Sequence, residues 1–311
     1  MPSPSADLLG VTVIGLRAAQ YLSASILLGL PAFMLYSHRS LAPALPGWPR
    51  GLTAVAAAIL AITALGALVA QAAVMTGSVA EAMKPSTLTV MMTGTSLGPA
   101  FAIRAAAAMA VGILLAGKPS SRRWALAALA GLVACASFAW TGHGAATGGV
   151  GQWWHASADA LHAVAAALWV GALTAFLILV LRAPGRDIRD QGLARALTEF
   201  AGLGSVAVGT LLVTGLVNSF FLVGPERLGR LATTPWGQLL LLKLVLFLAM
   251  LGLATVNRFR LTPALTASIG QVDHPTHLTV LRLSLTTEFA LGIGVLLIVA
   301  VMGTLMPPSA L

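Results

Sequence analysis

Charge is what this sequence is short of. Only 9% of its 311 residues are Asp, Glu, Lys or Arg, and 58% are hydrophobic. A soluble domain carries roughly 25% charged residues and needs a polar skin that this composition cannot supply. The mean hydropathy of +0.92 says the same. Cysteine is almost absent. Cys135 stands alone within an apolar run, which excludes an intrachain disulfide and any CxxC metal motif; it reads as a small core residue. Catalytic signatures are missing too: there is no HExxH, no P-loop, no nucleophile elbow and no GxGxxG between a strand and a helix. The net charge of +9 is not gathered into a basic stripe with interleaved aromatics, so no nucleic-acid partner is expected. Met1 to Leu9 holds no Lys or Arg. A secretory leader needs a positive region before its apolar stretch, so the chain from Gly10 onward is expected to be a retained first span.

What is present is long apolar runs. A spanning helix needs about 20 apolar residues, and a lone strand cannot satisfy its backbone in lipid. The expected fold is an all-α polytopic bundle in the lipid bilayer, forming one membrane domain over residues 1–311. Spans are expected at about 10–36, 52–80, 97–117, 124–141, 155–181, 200–223, 237–256 and 281–304. Connectors are short and rich in Pro and Gly, the longest being about 257–280 with Pro263 and Pro275. Segment 81–96 lacks apolar periodicity and is expected to be a re-entrant or surface loop. Eleven of the 18 Lys and Arg residues fall in the odd-numbered loops, among them Arg39, Lys118, Arg182 and Arg258. The even loops hold Lys84, Arg227 and Arg230. That bias puts the odd loops in the cytoplasm and both termini on the periplasmic side.

Chemistry concentrates between Trp140 and Leu173, where three of the six histidines and four of the seven tryptophans lie. At about 100° per residue, His155, Asp159 and His162 fall within about 60° of one another on one helix face, and Trp169 joins the same stripe. Two imidazoles and a carboxylate on one face suit a metal ion, or one carboxylate orienting an imidazole. His143 in the facing loop offers another ligand, whereas His155 also suits an interfacial place beside Trp153 and Trp154. Methionine is the second signal. Met75, Met83, Met91, Met92, Met302 and Met306 map to the outer half, with Met302 and Met306 one helical turn apart. Thioether sulfur favours soft ions, above all Cu(I); gap-filling in the core is the plainer reading. Charges inside spans are the third. Arg17 with Gln20, Arg104, Lys243, Arg282 and Glu288 are costly in lipid; a structural buried pair is the plain reading, and a proton-coupling or ion-pathway role the sharper one. Glu288 needs a partner, for which Arg17, Arg104 or Lys243 are candidates. His274 and His277 in DHPTH read as a solvated loop, and His38 as an interfacial residue.

Several of these stretches resemble the copper-resistance protein D (CopD/PcoD) family. The resemblance rests on TGHGAA at 141–146, DALHAVAAALWVGAL at 159–173 and TGLVNSF at 214–220. It continues through LLLLKLVLFLAMLGLATVNRFRLTP at 239–263 and LRLSLTTEFALGIGVLLIVAVMGTLMPP at 281–308. It covers a core of about 140–308, and the first four spans share its general character. The resemblance implies copper handling at the bacterial inner membrane beside a periplasmic CopC-like carrier. No stretch here resembles that carrier, so a separate chain is expected. By motif position it singles out His143, Asp159, His162, Trp169, Asn257, Arg258, Arg282 and Glu288.

The expected function is therefore passage of copper, Cu(I) or Cu(II), from periplasm to cytoplasm. Outer methionines would receive it, the His155–Asp159–His162 face would hold it, and Arg17, Arg104, Arg258, Arg282 and Glu288 would set the charge of the path. Trp169 and Asn257 would shape or gate it. No enzymatic activity is expected. The alternatives are a haem- or quinone-linked membrane redox protein and a copper-binding sensor or scaffold without flux.

Overall fold

The computed structural model describes residues 4–41, 47–118, 120–142, 151–182 and 187–310. Eight helices in it are long and apolar enough to cross a membrane. They lie on α1 (Pro4–Leu41), α2 (Trp48–Thr76), α5 (Leu97–Ala116), α6 (Ser121–Ala136), α7 (Gln152–Leu181), α8 (Asp187–Leu222), α9 (Pro235–Val256) and α11 (His274–Met302). The described residues contain no strand. The protein is an all-α polytopic bundle.

Helix ends follow local chemistry more closely than the hydropathy pattern does. The second span stops at Thr76, short of residue 80, because Gly77 adopts φ 73° and donates its N–H back to Ala73, the usual left-handed helix stop. Segment 81–96, expected as a loop, folds into α3 (Val79–Ala82) and α4 (Pro85–Gly94). The Ser78 side chain accepts from the Glu81 N–H, and Glu81 pairs with Lys84 at 2.7 Å. Helices of this length are too short for apolar periodicity to reveal. The expected long connector 257–280 is also mostly helical. The chain runs from α9 through a π-helical turn, Asn257–Leu261, into α10 (Thr262–Ser268). Pro263 and Pro275 lie in the first turns of α10 and α11, where the missing N–H costs nothing.

α1 is the central post, packed on α2, α6, α7, α8 and α11. Its crossing with α7 is close. A Cβ on Gly29 would lie 2.6 Å from the Gly171 Cα and 2.7 Å from the Ala167 carbonyl. Ser25 with Gly29, and Ala167 with Gly171, form two small-xxx-small stripes, the pattern that brings helices together in lipid. A few turns away the crossing closes over an aromatic cluster. Phe33 meets Phe176 edge-on at 5.3 Å, and Phe176 meets Phe200 at 5.4 Å.

The register of α7 on α8 then decides what faces what. The two run antiparallel, with Phe176 beside Phe200, His162 beside Thr214, Asp159 beside Asn218 and His155 beside Phe221.

Candidate functional site

Three polar clusters, the first part-buried and the other two buried, lie in the half of the bundle built from α7 to α11. The first lies near the start of α7. The Asn218 amide donates to Asp159 Oδ1 at 3.4 Å, and the backbone at Gly142 presses on Oδ2, 3.0 Å from where a Cβ would stand. His162 Nδ1 lies 2.9 Å from Thr214 Oγ1, whose own proton goes to the Thr210 carbonyl at 2.6 Å. With that proton committed, Thr214 can only accept. The network therefore assigns the proton of His162 to Nδ1 and leaves the Nε2 lone pair for another partner. Lys243 from α9 and Arg17 from α1 are both within electrostatic reach of Asp159. His155 is buried one turn nearer the end, its ring stacked on Phe221 at 4.8 Å with 7° between planes. The neighbouring Trp153 and Trp154 remain about three-quarters exposed.

The second cluster is centred on Glu288 of α11, 2% exposed. The Trp169 indole donates to Oε1 at 3.0 Å, and the Asn257 amide donates to Oε2 at 2.8 Å. Ser284 completes it by donating to Asn257 Oδ1 at 2.6 Å. Asn257 opens the π-helical turn after α9, a distortion often found at functional sites. The ion pair expected for Glu288 with Arg17, Arg104 or Lys243 is not formed. Both its oxygens are held by neutral donors instead, and Lys243 acts on Asp159 and His162.

The third cluster corrects the expectation of a solvated DHPTH loop. His274 is buried at the start of α11, with Nε2 2.8 Å from Asp190 Oδ2 and Nδ1 3.0 Å from Ser268 Oγ. Asp190 Oδ1 has no hydrogen-bond partner among the described residues. His277, by contrast, stays part-exposed and pairs with Asp273 at 3.2 Å. Asp190 went unnoticed in the sequence because 84 residues separate it from His274.

The other expected site residues fall apart. His143 lies outside the described residues. Met91 is buried against Ala72, Ala73 and Ala82, and Met302 packs with Val223, Trp236 and Leu240. Met83, Met92 and Met306 are exposed. Met302 and Met306 do not share a helix face, since α11 ends at Met302. Arg258 is exposed and reaches across to the Ala201 carbonyl at 3.2 Å, and Arg282 is exposed on α11. Arg104 is fully buried on α5, bonded to Gln20, Ser137 at 3.0 Å and Thr141 at 3.2 Å, with its guanidinium 3.8 Å from the Phe138 ring centre. Arg17 bonds the Tyr21 hydroxyl at 3.1 Å and lies against Gly303. Among the described residues no three of His, Cys, Asp and Glu come together as a metal-holding group.

Sequence reasoning missed Thr214 and Asn218, which fix the imidazole and carboxylate of the first cluster. Their signal was available: polar residues four apart on one face of an apolar helix, inside TGLVNSF.

A polytopic helix bundle with ionisable and amide side chains inside its spans defines a multi-pass membrane protein whose intramembrane polar groups are candidates for a functional site. Comparison with known proteins says which kind. Residues 6–156 match the family model described as copper resistance protein D-like, N-terminal domain, and residues 194–302 match copper resistance protein D. The chain belongs to the copper resistance protein D family. It is 35% identical over 301 residues to "Copper resistance protein D" of Pseudomonas syringae pv. tomato, covering 94% of this chain and 96% of that protein. It is 34% identical over 167 residues to "Inner membrane protein YebZ" of Escherichia coli (strain K12), covering 53% of this chain and 54% of the other. A third relative, "Copper transport protein CutJ" of Bacillus subtilis (strain 168), is 34% identical over 151 residues, 48% of this chain and 25% of that protein. No solved structure matches. The likeness therefore extends into the first four spans, where residues alone gave only a general character.

Proposed function

We propose that this chain passes copper across the bacterial inner membrane, from the periplasmic side to the cytoplasm. One observation carries the reading: the three polar clusters form a stepped series along the helices. Asp159 and Trp169 are ten residues apart on α7, about 15 Å at 1.5 Å per residue, and Trp169 touches Glu288. From Glu288 to His274 on α11 is fourteen residues, about 21 Å more. The series thus extends over a distance comparable with the roughly 30 Å hydrocarbon core. A chain that only needed stability would gain little from such groups in lipid.

In this reading copper is the cargo. The first cluster receives it: His162 Nε2 is the imidazole donor, oriented by Thr214, and Asp159 supplies negative charge. Lys243 and Arg17 compete with the ion for Asp159, which keeps the carboxylate from binding so tightly that the ion cannot leave. Glu288 is the next anionic stop, and Asp190 with His274 the last. His143, His155 and the outer methionines Met83, Met92 and Met306 are proposed as receiving ligands near the mouth. The distribution of Lys and Arg among the loops supports periplasmic termini, and the relatives' names support the inner membrane. No ATP-binding motif is present. The membrane potential would draw a cation inward with about 2.3 kcal/mol per charge per 100 mV. Delivery by a separate periplasmic copper carrier fits the single-domain organisation proposed for 1–311.

The test is copper affinity of the purified protein with variants that separate ligand from orienting group. Thr214→Val removes the acceptor that fixes His162 and should weaken copper binding about 10- to 100-fold, while Thr214→Ser restores it. His162→Ala and Asp159→Asn should lose the site. Equal affinity in the parent and all four variants would reject this cluster as the receiving site. A Soret band in the purified protein would instead support the redox alternative.

A further inference from the structure

The N-terminal half holds a cavity that the copper path does not use. It is bounded by Arg17, Gln20, Tyr21, Gln71, Arg104 and Thr141 and, by volume, admits about one water-sized occupant. Two guanidinium groups line it, close enough for each charge to act on the other. Arg104 is 1% exposed, and its hydrogen-bond partners Gln20, Ser137 and Thr141 are all neutral. Among the described residues no carboxylate acts on it; the groups that do are Tyr21, Arg17 and Cys135. Arg17 Nε is buried and has no hydrogen-bond partner among the described residues. The Arg17 guanidinium lies against Gly303 at the C-terminal end of α11, whose helix dipole offers only partial negative charge. Asp159 is the acid within reach of Arg17, and it is shared with Lys243. Of the two guanidinium groups at this cavity, Arg17 shares one carboxylate with Lys243, and Arg104 has none among the described residues.

Buried like charges without a counter-ion are costly, and more so at membrane depth. The buried Arg17 Nε, unpartnered among the described residues, and the all-neutral partners of Arg104 point to the missing charge being supplied from solution. We propose that this cavity is a binding site for a small monovalent anion, with chloride as the species of fitting size. Such an ion would lower the positive potential beside Asp159, so that a cation can approach the first cluster. The proposal stands on the cavity and does not depend on copper being the cargo.

The experiment uses the full-length protein in detergent micelles and chloride-35 NMR line width as the readout, with sodium chloride as the probe. Excess broadening should scale with protein concentration and be reversed by bromide but not by gluconate. In Arg104→Gln and Arg17→Gln the broadening should fall about tenfold or more, because each loses a charge-assisted hydrogen bond to the ion. If Arg104→Gln does not fold, Arg17→Gln, whose side chain is only part-buried, decides the matter alone. No broadening above the micelle blank, or equal broadening in Arg17→Gln, would overturn the proposal.

Discussion

Replacing Trp169 with Phe isolates one hydrogen bond of the central cluster. The ring remains apolar and large, so the edge-on contact with Phe247 at 5.9 Å is largely kept. What disappears is the indole N–H that Glu288 Oε1 accepts at 3.0 Å. A hydrogen bond to a charged group contributes about 1.5–3 kcal/mol in water-soluble proteins. Interhelical bonds within membranes average nearer 0.6 kcal/mol and reach about 1.7, because the unfolded helices find partners too. Glu288 is 2% exposed and has no cationic partner among the described residues, so its bond belongs at the upper end, about 1.5 kcal/mol. The cavity from the smaller ring adds roughly 1 kcal/mol, which says nothing about the hydrogen bond. A double-mutant cycle removes that second contribution. Trp169→Phe, Glu288→Met and the double variant would be unfolded reversibly in mixed micelles, and the coupling energy read from the four stabilities. Coupling of about 1–1.5 kcal/mol is expected. Coupling below about 0.3 kcal/mol would refute the view that Trp169 holds the carboxylate in place.

Two further predictions concern the frame around the clusters. Gly171→Leu should destabilise the bundle by about 3 kcal/mol or more, seen as a large drop in the thermal midpoint in micelles, since even a Cβ there meets the α1 backbone. His274→Ala should destabilise by about 3–5 kcal/mol because it leaves Asp190 buried and unpaired; His277→Ala, at a half-exposed pair, should change stability by less than about 1 kcal/mol.

The eight spans were legible because each is a long apolar run, and lipid leaves a helix as the way to satisfy the backbone. The shared face of Asp159, His162 and Trp169 was legible for a related reason: it depends only on spacing within one helix. What lies across helices was not. The partners Thr214 and Asn218, the Trp169–Glu288–Asn257 network and the Asp190–His274 pair all depend on inter-helix register. That register is set by the Gly29–Gly171 contact and the aromatic packing at Phe176 and Phe200, and periodicity does not carry it. The methionine stripe failed differently. Met302 and Met306 have helical spacing, but the chain leaves the helix at Gly303. DHPTH looked solvated because Pro275 and two polar neighbours suggest a turn; Pro275 instead opens a helix whose first residue is buried.

The measurement that bears most directly on the account is copper flux in sealed proteoliposomes of known protein orientation. Parent protein would be compared with Asp159→Asn, Glu288→Gln and His274→Ala, one variant for each polar cluster, at a controlled membrane potential. Inward copper movement is expected to rise as the interior is made more negative, and to be slower in each variant even where the protein remains folded. Copper binding without movement in the parent would contradict this expectation, as would movement unaffected by Glu288→Gln.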